Sequence, residues 1–183
     1  MRSSSPPVLL IHQGALGDLL LSLPALYSLR RHYEDRPWTM VGNPAGLTLL
    51  HRSGYAREVL SRHSSRWADL YRESPVLPDP LRRFLEIFEM AYVFAPRPPE
   101  PFFGNLDRAL PGRARWIPSF PDPVVGLSVP QVQRECLARW KIPWKQPEIL
   151  LFPDDRDRRG GMARLNRIGL PDFSEAPLTA LHP

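Results

Sequence analysis

The chain has 183 residues, 43% of them hydrophobic and 23% charged, a composition typical of a folded protein of one ordinary domain. No apolar run reaches the roughly 18–20 residues that span a bilayer, and the N-terminal residues lack the features of a signal peptide. The net charge is +5, but no basic stripe with interleaved aromatic residues accompanies it, so the sequence predicts no nucleic-acid partner. The single cysteine, Cys136, excludes an internal disulfide and favours a reduced, cytoplasmic location.

The first predicted element is the strand "VLLIH", residues 8–12, a continuous apolar run of the kind that is buried on both faces in a parallel sheet. The turn "QGALG" follows, and residues 18–33 show leucines at helical spacing and basic residues at the end. Pro24 should bend this helix or shorten its first turns, because proline has no N–H to donate.

Further strands are predicted in alternation with helical segments, which indicates an α/β fold with a Rossmann-like, doubly wound and mostly parallel sheet. The strands are residues 38–42, 58–61, 91–95 and 114–118; the helical segments include residues 44–54, 65–71, 80–90, 128–140 and 154–169. Proline is abundant, with 23 residues, so we expect many ordered loops between these elements. Residues 178–183 resemble a strand that begins as the sequence ends.

The loop "HQGALGD", residues 12–18, lies at the carboxyl end of the first strand. In open parallel sheets, ligands bind at the carboxyl ends of the strands. Gly14 and Gly17 allow the backbone to approach a ligand closely, yet the loop is neither the dinucleotide fingerprint nor a phosphate-binding P-loop. The sequence allows two interpretations of Asp18. In one, it is a helix cap that the helix dipole stabilises; in the other, it is a general base that accepts a proton from a hydroxyl group.

The segment from Leu9 to Leu50 resembles the N-terminal signature of the ADP-heptose:lipopolysaccharide heptosyltransferases, glycosyltransferase family nine. The resemblance rests on a hydrophobic strand, a loop ending in Leu16-Gly17-Asp18, and an apolar helix that contains Pro24-Ala25-Leu26 and ends in basic residues. Weaker similarity continues through "WIPSFPDP" and "FPDDRDR" to the final "LTALHP". In that family, the closing His-Pro introduces the loop that begins the donor domain.

The resemblance implies two Rossmann-like domains in a GT-B arrangement, of which this chain matches the N-terminal, acceptor-side half. Residues 1–169 would form that domain, and residues 170–183 would be a linker and the first strand of a donor domain that the sequence does not contain. The implied reaction is metal-free, inverting sugar transfer from a nucleotide sugar such as ADP-heptose to a lipid-linked, lipopolysaccharide-core-type acceptor. It would take place in the cytoplasm, with peripheral contact at the inner face of a bacterial membrane.

By the same resemblance, Asp18 is the catalytic base. Because they lie at the end of the first strand and in the loop beside it, His12, Gln13, Gly14 and Gly17 are the candidate acceptor-binding residues. His12 is alternatively a structural histidine with its hydrogen bonds satisfied. Three arginines either face an anionic acceptor or are simply solvated: Arg57, Arg62 and Arg66. We expect no metal site and no cofactor, since the histidines lack ligand spacing.

The sequence departs from the family by ending before the donor-binding loop, and we therefore expect the chain alone to be inactive. Two other interpretations remain open. One is a non-catalytic α/β binding or interaction module derived from such an enzyme. The other is an unrelated Rossmann domain that binds a nucleotide at the loop of residues 12–18.

Overall fold

A computed structural model describes residues 5–73, 76–120, 126–145 and 155–169. The chain divides into two compact units, residues 1–150 and residues 151–183. The first unit carries the whole sheet and is built from alternating strands and helices. The second is described through a single helix. The predicted boundary at residue 169 stays a prediction, and the predicted linker and final strand, residues 170–183, lie outside the described residues.

Five parallel strands form one sheet in the spatial order β3-β2-β1-β4-β5. Their bounds are β1 Val8–His12, β2 Trp38–Gly42, β3 Glu58–Ser61, β4 Met90–Ala95 and β5 Ala114–Pro118. Every residue of β1, β2 and β4 is buried, which is what continuous apolar runs produce when helices cover both faces of a parallel sheet. The predicted α/β fold with a parallel, doubly wound sheet is confirmed.

Helices lie between the strands and after the last of them. They are α1 Leu16–Leu21, α2 Leu23–His32, α3 Pro44–Arg52, α4 Asp79–Glu86, α5 Phe102–Ala109, α6 Val129–Arg139 and α7 Asp155–Arg167, with a 3₁₀ helix at Ser65–Tyr71. The single helix predicted over residues 18–33 instead begins at Leu16 and is divided at Ser22, two residues before Pro24. The sequence predicted a bend or a shortened first turn at that proline and not a division into two helices. The α5 helix was not predicted, because its flanking prolines made the whole segment resemble a loop.

The core of the first unit lies on the two faces of the sheet. On one face, Leu9, Ile11 and Val93 pack against the 3₁₀ helix, α4 and α5. The opposite face presents the alternate strand residues, among them Tyr92, which contacts Tyr33 after α2 and Trp140 after α6. The sheet is therefore sandwiched between two helical layers, and its carboxyl edge is left for the connecting loops.

The second unit is described only through α7, which has no buried residue in its 13-residue length. Its sequence contains a Gly160-Gly161 pair, and all of its first five residues are charged. Among the described residues, no helix is long and apolar enough to cross a bilayer.

Candidate functional site

The candidate site lies where the topology of the sheet reverses direction. From β1 the chain moves outward to β2 and β3 and then returns to the other side of β1 to form β4 and β5. The loops that leave β1 and β4 consequently diverge, which opens a crevice at the carboxyl edge of the sheet. The loop of residues 12–18 begins at this position, with β1 bonded to β2 on one side and to β4 on the other.

Asp18 occupies the third position of α1 and is partly exposed. Its Oδ2 accepts a hydrogen bond of 2.9 Å from the Ala15 N–H, so the side chain closes the first turn of the helix as a cap. Since Ala15 has no side-chain oxygen to return the bond, this is one half of a capping box. That is the one hydrogen bond that the structure assigns to the carboxylate among the described residues.

Gly14 is required by the position of that carboxylate. A Cβ atom added at Gly14 would lie 2.5 Å from Asp18 Oδ2 and 2.7 Å from Asp18 Cβ, which is closer than any non-bonded contact allows. Gly17, in contrast, has open space around the position of a Cβ. The glycine at residue 14 therefore allows the Asp18 side chain to fold back over the loop.

His12 ends β1 and is 2% exposed. Its ring stacks on Phe94 at a centroid distance of 5.8 Å and an interplanar angle of 26°. Burial lowers the pKa of His12 to about 4, and the opposing attraction of Asp18 is the smaller effect, so the imidazole is neutral at pH 7. One of its two ring nitrogens, Nε2, is buried and has no hydrogen-bond partner among the described residues.

Gln13 is hydrogen-bonded by Arg62, which follows β3, and by Tyr71, which ends the 3₁₀ helix. The Arg62 guanidinium donates a hydrogen bond through Nη1 to the Gln13 carbonyl, and Gln13 Nε2 donates to the Tyr71 hydroxyl at 3.2 Å. The Tyr71 ring packs on Phe102 at a centroid distance of 4.8 Å. Burial raises the pKa of Tyr71, which Arg62 partly opposes.

From the sequence, we expect Arg62 either to face an anionic acceptor or to be solvated at the surface. The structure instead places it partly buried against the loop of residues 12–18. The signal that could have found it is its position immediately after β3, at the same edge of the sheet as the loop. Arg57 and Arg66 are exposed, and the Arg66 guanidinium lies over the Phe84 ring at 4.8 Å.

A buried polar bridge fixes the far end of α1. Gln133 of α6 donates through Nε2 to the Ser22 hydroxyl at 2.9 Å and to the Pro118 carbonyl at 3.1 Å. The Ser22 hydroxyl in turn donates to the Asp18 carbonyl at 2.8 Å. Gln133 and Ser22 are fully buried. The backbone of the candidate base is thus tied to α6 and to the end of β5, a contact that sequence reading missed.

The described residues contain no group of three or more His, Cys, Asp or Glu side chains that could hold a metal ion. Cys136 is buried in α6, and burial raises the pKa of its thiol. The chemistry that the loop can offer is therefore that of a carboxylate, a neutral imidazole, an amide side chain and the backbone groups that the two glycines expose.

Comparison with solved structures finds the glycosyl transferase family 9 protein from Veillonella parvula, with a TM-score of 0.62 and 12% identity, covering 93% of this chain and 52% of that protein. The E. coli heptosyltransferase WaaC with ADP gives a TM-score of 0.42 and 14% identity, covering 90% of this chain and 54% of WaaC. An FMN-dependent UbiX-like decarboxylase from E. coli O157:H7 gives 0.36 and 14%, covering 79% of this chain and 100% of the decarboxylase.

No protein-family model matches the sequence, and no curated protein matches it significantly. At 12% identity, the similarity to the Veillonella protein is a similarity of fold. The chain spans about half the length of that protein, and the match covers 93% of this chain, the chain that carries the five-stranded parallel sheet.

Proposed function

We propose that this chain forms the acceptor-side domain of a heptosyltransferase-like, inverting glycosyltransferase in which Asp18 is the general base. The observation that carries the proposal is the placement of Asp18. It lies in the first turn of the helix that follows the central strand, at the reversal point of the sheet, with one carboxylate oxygen bonded and the other available. The fold similarity to a family 9 glycosyltransferase supports it.

The geometry suits proton abstraction from an acceptor hydroxyl. An ionised carboxylate at a helix N-terminus is stabilised by the helix dipole, and its bond to the Ala15 N–H fixes the direction of Oδ2. Oδ1 then accepts the hydroxyl proton while the acceptor oxygen attacks the anomeric carbon of the donor and the nucleoside diphosphate leaves from the opposite face. In this proposal Gln13, Gly14 and Gly17 contact the acceptor through the loop.

The donor is a nucleotide sugar such as ADP-heptose, and the acceptor is a lipid-linked sugar of the lipopolysaccharide-core type, which would bring the protein into peripheral contact with a membrane at the cytoplasmic face. Among the described residues there is one Rossmann-like sheet. A second such domain has to supply the donor site, either as a continuation of the chain or as a separate protein. The 183-residue chain alone is proposed to be inactive.

The experiment joins the chain to a donor domain taken from a family 9 glycosyltransferase, either in one polypeptide or as a separate protein. Transfer from ADP-heptose to a lipopolysaccharide-core acceptor is measured for the chain alone and for the joined protein. The chain alone should show no turnover. The joined protein should transfer the sugar, and Asp18→Asn should lower its kcat by about 10²–10⁴-fold, the usual contribution of a general base.

Asp35→Asn is the matched control, because it removes one carboxylate from an exposed turn after α2 and should leave kcat unchanged. Turnover by the chain alone would refute the need for a donor domain. Full activity of Asp18→Asn would leave Asp18 as a helix cap only. Acceptor binding without transfer in any joined form would favour a non-catalytic binding module, and nucleotide binding at the loop of residues 12–18 would favour an unrelated Rossmann domain.

A further inference from the structure

A small cavity of about 90 Å³ lies between the loop of residues 12–18 and the start of α3. The loop and α1 contribute His12, Ala15 and Leu19 to its lining, and α3 contributes Ala45, Gly46 and Leu47. His12, Leu19 and Leu47 are no more than 3% exposed and form its floor. Exposed residues, among them Ala15 and Ala45, form its rim, so the cavity opens to solvent beside the candidate base.

The floor carries one unexplained polar atom. His12 Nε2 is buried and has no hydrogen-bond partner among the described residues, while the other side chains of the floor are leucines. A buried polar group without a partner costs free energy that a protein rarely retains without a ligand or an ordered water. The neutral imidazole has one N–H and one lone pair, so it can pair with a group that either donates or accepts.

An anion is a poor occupant, even though the start of a helix faces the cavity. The first residue of α3 is Pro44, which has no N–H, and the next N–H, of Ala45, is already bonded to the Asn43 side chain at 3.0 Å. The Asp18 carboxylate acts on His12 electrostatically from the same loop and would repel a second negative charge. The cavity therefore favours a neutral group.

We propose that this cavity is a binding subsite for a small, uncharged, hydroxyl-bearing arm of the acceptor, held by the apolar walls and by a hydrogen bond between its hydroxyl and His12 Nε2. A cavity of about 150 Å³ holds a benzene ring, so a volume near 90 Å³ takes an arm of about four non-hydrogen atoms. The inference rests on the proposed function, because it gives the acceptor its second point of attachment beside Asp18.

Isopropanol is the probe, since it has one hydroxyl, two methyl groups and four non-hydrogen atoms. It is titrated into the isotope-labelled 183-residue chain while the imidazole nitrogen shifts of His12 are followed by NMR. We expect a saturable shift at His12, together with nuclear Overhauser contacts from the alcohol methyls to Leu19 and Leu47. This measurement needs neither donor nor turnover, and Asp18→Asn should still bind, so its failure is separable from failure of the transferase proposal.

Two variants sharpen the test. Gly46→Ala places a Cβ 3.0 Å from Leu19 Cδ2 and 3.6 Å from Leu16 Cδ1, inside the lining of the cavity, and should abolish the shift at His12. Gly160→Ala is the matched control, because the same methyl group on α7 meets no atom within 4 Å and should leave binding unchanged. His12→Phe should weaken the methyl contacts by about fivefold or more, the loss expected for one hydrogen bond.

The proposal is overturned if isopropanol leaves the His12 nitrogens and the Leu19 and Leu47 methyls unperturbed in the unsubstituted chain. It is equally overturned if Gly46→Ala and Gly160→Ala bind alike. If one of the variants does not fold, the titration of the unsubstituted chain decides the matter by itself.

Discussion

The buried imidazole of His12 should make the protein less stable in mild acid. Burial lowers the pKa of His12 from its ordinary value of 6.5 to about 4 in the folded chain. Between these two pH values the unfolded chain binds a proton that the folded chain does not bind. The free energy of unfolding therefore falls as the pH drops from 6.5 towards 4. Above pH 6.5 the imidazole is neutral in both the folded and the unfolded chain, so the stability is fully present there.

The magnitude follows from about 1.4 kcal/mol for each pH unit that separates the two pKa values, which gives about 3 kcal/mol. Because His12 is 2% exposed, little solvent screening reduces this figure. For a protein with a typical stability of about 5–15 kcal/mol, such a loss is a large part of the total.

Urea unfolding at a series of pH values between 7.5 and 4 measures the effect. The His12→Phe variant supplies the reference, since it lacks the titrating ring and retains a ring to stack on Phe94. Carboxylates titrate in both proteins, so the difference between the two curves isolates His12 and should change by about 3 kcal/mol across the range. His51→Gln, at an exposed position of α3, keeps His12 and should follow the unsubstituted protein. Parallel curves for His12→Phe and the unsubstituted protein would refute the reasoning.

Three further predictions concern the loop and its supports. Gly14→Ala should displace the Asp18 carboxylate and lower the free energy of unfolding by about 1–3 kcal/mol, whereas Gly17→Ala, with open space at its Cβ, should not lower it; urea unfolding compares the two. Gln133→Leu removes the bridge to Ser22 and should cost about 1–3 kcal/mol, with faster hydrogen exchange at the amides of α1 as the local sign; unchanged exchange would contradict the bridge. Asp18→Asn should change the free energy of unfolding by about 1 kcal/mol or less, because the Asn oxygen can accept the same hydrogen bond from the Ala15 N–H. Thermal unfolding measures the change, and a larger loss would show that the negative charge of Asp18 stabilises the fold.

The parts of the fold that the sequence predicted are those fixed by local pattern. The strand at residues 8–12 has the predicted bounds because an apolar run followed by a glycine-containing turn has few alternatives in an α/β chain. Pro24 indicated an irregularity in the first helix, but not that the helix would be divided in two. The α5 helix was missed because Pro98, Pro99 and Pro101 precede it, and proline before a helix is as compatible with a loop as with a helix start.

The site was predicted only as far as it is local. Asp18 in the first helical turn and the glycines before it are readable from seven consecutive residues. The bond from Arg62 to the Gln13 carbonyl joins residues 49 positions apart, and the bond from Gln133 to Ser22 joins residues 111 positions apart. Such contacts are set by the packing of strands and helices, which no single-sequence periodicity encodes. The unpartnered nitrogen of His12 is likewise visible only once its neighbours are in place.

The central position of β1 has a consequence for synthesis on the ribosome. One edge of β1 pairs with β2, which follows about 30 residues later, but the other edge pairs with β4, whose Met90 faces Val8. At about 5–20 residues per second, that edge waits roughly 4–16 s for its partner after it has been translated. During this interval a nascent β1-β2-β3 sheet presents a strand of four apolar residues and one histidine whose outer backbone groups are unpaired, and these groups can pair with a neighbouring nascent chain. Slower translation before residue 90 would therefore lower the yield of folded protein, and chaperone binding to the emerging strand would restore it.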